Sequence, residues 1–176
     1  MFIKWGMMMY ESNDLLNRYV SDTLNLLRKA SIVLPKKANA NIYHHEGVEH
    51  VYQTGAMFIN VVNRDYCKSI VVMQKKQSYP NHYHMIKTES MYVHYGELVV
   101  VIEGKKNRLQ PGEIIHVERG QDHYFYTETG VVFEEISTMY MRNDSVYTDE
   151  SIRNEPYSFR RTVLNEKQWE ETIGYA

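Results

Sequence analysis

The stretch His82-Tyr83-His84-Met85-Ile86-Lys87-Thr88-Glu89 decides how this chain reads. Two histidines two positions apart on a strand project to the same face, because successive side chains of a strand alternate. Glu89 follows five residues after His84, past a short bend, and can return to the same interior. Two imidazoles and a carboxylate converging inside a β-structure make a mixed nitrogen and oxygen site that suits a divalent metal. The other histidines are His44, His45, His50, His94, His116 and His123. Spacing alone does not single out one of them as a fourth ligand.

Around that stretch the texture is β. Short apolar, β-branched or aromatic runs occupy 57–62, 69–73, 91–94, 98–102, 113–117, 123–126 and 131–136. They are separated by turn signals at Asn63-Arg64-Asp65, Tyr95-Gly96, Gly104, Pro111-Gly112, Gly120 and Gly130. Short strands with this punctuation predict an all-β antiparallel sandwich or barrel, and the missing strand-helix alternation argues against a parallel α/β sheet. Upstream, 12–29 reads as a helix capped by Ser12 or Asn13. Its apolar stripe is Leu15, Leu16, Tyr19, Val20, Leu24 and Leu27, and Arg28 and Lys29 suit the dipole at its end. Pro35 stops it. The expected division is a helical extension at 1–40, a barrel at 41–138 and a C-terminal extension at 139–176. That last segment is polar, carries Tyr140, Tyr147, Tyr157 and Trp169, and has a short helix near 166–172. It packs over the barrel or reaches a partner subunit.

Composition narrows the function. The chain has 176 residues, 43% hydrophobic and 24% charged, which is enough for one domain with its own core. Its 15 Tyr, 5 Phe and 2 Trp suit β-structure and polar-lined pockets. A net charge of −2 gives no electrostatic reason to expect a nucleic-acid partner. Cys67 is the single cysteine, which excludes a disulfide framework and a Cys-rich zinc site. No apolar run reaches the length of a membrane span. The apolar start at 1–10 meets Glu11 and lacks a small-residue cleavage pattern, so it is not read as a signal peptide, and a cytoplasmic location is expected.

The motif continues with six residues and Gly96, then Pro111-Gly112-Glu113, then Gly120-Gln121-Asp122-His123. This resembles the two signature motifs of the cupin superfamily, H-x-H-x4-E-x6-G and a P-G-[DE] turn leading to G-x-x-H. Glu118 stands where a proline commonly precedes the x-G of the second motif, a departure that touches a turn and no ligand. The resemblance implies a cupin-type antiparallel β-barrel (jelly roll) with a divalent metal on His82, His84, Glu89 and His123. It favours Mn2+, with Fe2+, Zn2+, Ni2+ or Co2+ compatible with the same donors.

A closer resemblance lies in His82-x-His84-x-x-Lys87-x-Glu89 and in Phe133-Glu134-Glu135-Ile136-Ser137-Thr138, which look like D-lyxose isomerase cupins. The fit is closer still to the cupin domain found with sialic acid (N-acetylneuraminate) synthases. That likeness is carried by 52–56, 62–68, 117–120, 133–138 and Asn143-Asp144-Ser145. It implies an aldose-ketose isomerase or epimerase of a small carbohydrate in bacterial surface-sugar metabolism. Such chemistry needs a cation on adjacent sugar oxygens, a base that moves a proton between neighbouring carbons, and exclusion of water.

Glu135 is the candidate base by resemblance. Strand alternation leaves two faces open, one with Val131, Phe133 and Glu135 and one with Val132, Glu134 and Ile136, so Glu134 is the alternative. Lys87 would stabilise an enediolate. Arg64 and Arg119 would meet an anionic substrate group or form structural ion pairs. Two other functional classes share these motifs. One is a sugar-binding or regulatory cupin that serves a synthase without chemistry, and the other is an Fe(II) dioxygenase. A homodimer is the default assembly.

Overall fold

The β-rich runs pair into two curved antiparallel sheets, and two helices cover the outer face of the larger one. The computed structural model describes residues 3–139, 141 and 143–174; Tyr140 and the first two residues of the apolar start lie outside them. The elements in order are α1 (Ile3–Lys29), β1 (Asn39–His44), a 3-10 turn (Val48–His50), β2 (Gly55–Asn63), β3 (Tyr66–Met73), β4 (Ser78–His84), β5 (Glu89–Gly96) and β6 (Leu98–Ile102). There follow β7 (Lys105–Leu109), β8 (Ile114–Val117), β9 (His123–Tyr126), β10 (Val131–Thr138), β11 (Ser145–Tyr147), α2 (Glu150–Asn154), β12 (Arg161–Leu164) and α3 (Glu166–Gly174). The larger sheet runs β12-β1-β2-β3-β10-β5-β8 and the smaller β11-β4-β9-β6-β7.

Three central strands of the larger sheet are buried on both faces. Phe58, Val71 and Phe133 point into the space between the sheets, where they meet Tyr79, Met91, Leu98 and Phe125. Their neighbours Met57, Ile59, Ile70, Val72 and Val132 point outward onto Tyr19, Leu24 and Leu27 of α1 and Trp169 of α3. Each such side chain contributes about 1.5–3 kcal/mol when removed from water. Trp169 is fully buried, and its indole Nε1 donates to the Pro35 carbonyl at 3.0 Å. One residue thus fixes both α3 and the segment leaving α1. Gly96 turns β5 into β6 with φ 76°, and a Cβ there would sit 2.0 Å from the Gly130 carbonyl oxygen, so no other residue fits.

The helix differs from its expected start. It begins at Ile3, so Ser12 and Asn13 lie inside it and do not cap it. Neither Gly nor Pro occurs between Met7 and Lys29, and Ser and Asn cost only a few tenths of a kcal/mol in a helix interior. The C-terminal segment builds the barrel directly: β11 pairs with β4, β12 with β1, and α3 covers the larger sheet. Among the described residues no helix is long and apolar enough to cross a membrane.

Candidate metal centre and active site

Three strands deliver four side chains to one point. β4 alternates so that His82 and His84 both face inward, and both are buried. β5 begins on Glu89 and β9 on His123, which pairs in register with His82. One potential ligand atom from each of the four lies within 4.8 Å of the other three.

The backbone sets the imidazole tautomers. His82 Nδ1 lies 2.9 Å from the Pro80 carbonyl and His123 Nδ1 lies 3.0 Å from that of Gln121. A carbonyl only accepts, so each Nδ1 carries the proton and each Nε2 presents a lone pair. His84 Nδ1 is 3.3 Å from Ser145 Oγ and 3.8 Å from Asp144 Oδ2. His123 Nε2 lies 2.9 Å from Glu89 Oε1, and His84 Nε2 lies 3.2 Å from Glu89 Oε2. His84 Nε2, His123 Nε2 and Glu89 Oε1 are buried without a directed hydrogen bond, and Glu89 Oε2 is met only by the Lys87 ammonium at 2.8 Å. Buried acceptors without partners are costly, and a cation among them would satisfy the whole set. The cluster therefore fits a divalent metal in donor type, tautomer and burial.

The electrostatics follow from burial and from Lys87. Burial holds the His82 imidazole well below its ordinary range, and His123 and His84 reinforce this. Burial would raise the Glu89 carboxyl, but the Lys87 ammonium and the histidines outweigh it and hold Glu89 well below the usual carboxylate range. Burial would likewise neutralise Lys87, but Glu135 and Glu89 outweigh it and raise the ammonium. Lys87 Nζ is 2.8 Å from Glu89 Oε2 and 2.9 Å from Glu135 Oε1. One cation thus bridges a candidate ligand and the second carboxylate.

His82, His84, Lys87 and Glu135 open onto a cavity of about 450 Å3 between the sheets. Its wall includes Tyr79 and Phe125, Asn41, Asn60, Ser69 and Ser137, and Tyr157 and Arg161. Glu135 lines it, on the face of β10 that carries Val131 and Phe133. Glu134 faces the opposite way, with Lys68 Nζ at 2.8 Å and His94 Nε2 at 3.3 Å.

The remaining histidines stand elsewhere. His44 meets Thr162, His45 meets Tyr147, and His116 meets Ser90. Arg64 and Arg119 are exposed and do not line the cavity. Residue reasoning did not find Asp144, whose buried carboxylate accepts the backbone N–H groups of Ile86 and Lys87 at 2.8 and 3.0 Å. Nor did it find Tyr79, Tyr157 and Arg161. The only signal for Asp144 is its place between Asn143 and Ser145 in a stretch quoted for resemblance.

Residues 69–136 match the family model described as Cupin domain. The fold is a cupin jelly roll. No curated protein matches the sequence. Among solved structures, the L-ribose isomerase of Geodermatophilus obscurus superposes with a TM-score of 0.66 at 14% identity, over 79% of this chain and 93% of that one. The ligand-free L-ribose isomerase of Cellulomonas parahominis gives 0.64 at 14% identity, over 80% and 94%. The same enzyme with L-ribose gives 0.62 at 14% identity, over 78% and 93%. These structures share the shape of about four fifths of this chain, beyond the segment that the family model covers.

Proposed function

We propose that this cupin is a metal-dependent sugar isomerase or epimerase that uses Glu135 as its base. The observation that carries the reading is the placement of Glu135 and Lys87 in the same cavity as the His82, His84, Glu89 and His123 cluster, with Lys87 bridging Glu89 and Glu135 at 2.8 and 2.9 Å. His82, His84, Glu89 and His123 would hold a divalent ion, Mn2+ in the first instance, which would supply Lewis acidity to a bound sugar.

The chain's own residues do the rest. Glu135 accepts the proton from one carbon and returns it to the neighbouring carbon. Lys87 spends two of its three donors on Glu89 and Glu135, which fixes the base beside Glu89 and leaves the third donor for a substrate oxygen. Tyr79 and Phe125 exclude water beside the reacting carbons. Asn41, Asn60, Ser69 and Ser137 offer hydrogen bonds to hydroxyl groups. The L-ribose isomerases that share this fold support a sugar of pentose or hexose size. Surface-sugar metabolism of the sialic acid type, a cytoplasmic location and a homodimer are the expectations that accompany this reading.

The test is aldose-ketose interconversion followed by NMR with Mn(II)-loaded protein, over pentoses, hexoses, their phosphates and amino sugars. Absence of turnover across that panel, in protein that binds Mn(II), refutes the isomerase reading. Tight sugar binding that is unaffected in Glu135→Gln would replace it with a binding role.

A further inference from the structure

Arg161 lies on the edge strand β12, with β1, β2, β3 and β10 between it and β5, the strand that carries Glu89. It lines the same cavity as His82, His84 and Glu135. Its Nη1 donates to Asn41 Oδ1 at 2.8 Å, and its guanidinium carbon lies 3.9 Å from the centre of the Tyr157 ring. Asn41 is buried and Arg161 is half-buried. These contacts aim the group without neutralising it. Among the described residues no carboxylate lies within ion-pair distance of Arg161, whereas Lys68, Lys87, Arg108 and Arg153 each have one. A guanidinium has five donors in a planar fork, and one bond to Asn41 leaves an edge that matches a carboxylate or a phosphate.

The charge of the cavity points the same way. Lys87 and Arg161 offset two of the three carboxylates at the site, Glu89, Glu135 and Asp144, so a divalent ion in the cluster leaves an excess of about one positive charge, which an anionic ligand would relieve. Between the two ends the inward faces of β1, β2, β3 and β10 switch from apolar to polar, with Ser69 Oγ donating to Asn60 Oδ1 at 3.1 Å. A polyhydroxylated chain fits that strip.

We infer that the substrate is an anionic sugar, carrying a phosphate or a carboxylate at the end remote from the reacting carbons, and that Arg161 receives this group. The inference rests on the sugar reading above and adds its charge. Phosphate and carboxylate present the same chemistry to the fork, so the experiment separates them.

The experiment is titration calorimetry on Mn(II)-loaded and metal-free protein. Neutral pentoses and hexoses are paired with their anionic forms: ribose with ribose 5-phosphate, mannose with mannose 6-phosphate, and mannose with mannuronate. The anionic member of at least one pair is expected to bind about 10- to 100-fold tighter than its neutral partner, and the phosphate and uronate arms identify the source. Arg161→Met is expected to remove that advantage while the variant stays folded and keeps the wild-type Mn(II) stoichiometry, and Arg161→Lys to keep part of it. Should Arg161→Met fail to fold, added salt is expected to erode the advantage in the wild type but not the affinity for neutral sugars. Neutral sugars binding as tightly as anionic ones, or an advantage that survives in Arg161→Met or in salt, overturns the inference and leaves the isomerase reading standing. Absence of binding by every sugar, neutral or charged, overturns both.

Discussion

Replacing Asp144 with Asn tests the support beneath the candidate centre. The carboxylate is buried. Its Oδ1 accepts the Ile86 N–H at 2.8 Å and its Oδ2 accepts the Lys87 N–H at 3.0 Å. Both bonds set the bend between β4 and β5, which places Lys87 and the first residue of the strand bearing Glu89. Asp144 Oδ2 also lies 3.8 Å from His84 Nδ1. An amide keeps one acceptor and turns the other position into a donor facing a backbone N–H. Loss of one charge-assisted hydrogen bond costs about 1.5–3 kcal/mol. For a domain of this size that lowers the melting temperature by roughly 4–10 °C. Outer partners of metal ligands typically contribute about 10- to 100-fold in metal affinity, so Mn(II) binding is expected to weaken by about tenfold or more. Scanning calorimetry in EDTA measures the first effect and Mn(II) titration the second. A destabilised variant with wild-type Mn(II) affinity would refute the idea that Asp144 positions the centre.

Three further outcomes are expected. Glu135→Gln lowers isomerase turnover by about 10^2- to 10^4-fold without changing the Mn(II) stoichiometry, whereas Glu134→Gln, which faces away from the cavity, leaves turnover within about threefold of wild type by the same NMR assay. EDTA lowers the melting temperature relative to protein with Mn(II) at about 100 times its dissociation constant, by an amount equivalent to about 2.7 kcal/mol; equal melting curves would show that the cluster holds no ion. Burial, reinforced by Arg160, pushes the His45 imidazole down to about 3 from 6.5. The unfolded chain therefore binds the extra proton first, and stability present above about pH 6.5 is lost as pH falls. Between pH 7 and 5 His45 accounts for about 2 kcal/mol of that loss, so the acid slope in urea unfolding is expected to shrink by this amount in His45→Gln.

Strands that bury an ordinary apolar face are legible in the sequence. β6 and β9 fall at 98–102 and 123–126 as read, and β2, β3, β5, β8 and β10 lie within a few residues of their expected positions. The four side chains named by the cupin-like motifs meet in one cluster, because their spacing encodes which strand faces turn inward. Strands that wall a polar cavity are not legible. β1 sends Asn41 inward and Ile42 outward, and both are buried, so the contrast that marks a half-exposed strand is absent. β7 is Lys-Lys-Asn-Arg-Leu and reads as a turn, while β11 and β12 are too short for a period to register. The choice between Glu134 and Glu135 fails for the same reason: α1 covers the outer face of β10, so Val132 and Phe133 are equally apolar in the sequence. The helix start was obscured by Ser12 and Asn13, residues that cap well but that a helix also tolerates.

Ser145, Tyr157 and Arg161 close one side of the cavity, and all three come from the segment that follows β10. During synthesis the ribosome thus delivers His82, His84, Glu89 and His123 before it delivers the wall that encloses them. A nascent chain through β10 holds those four side chains but still lacks Asp144, whose carboxylate fixes the bend between β4 and β5. That wall is complete only once Leu164 has emerged and β12 has zipped onto β1.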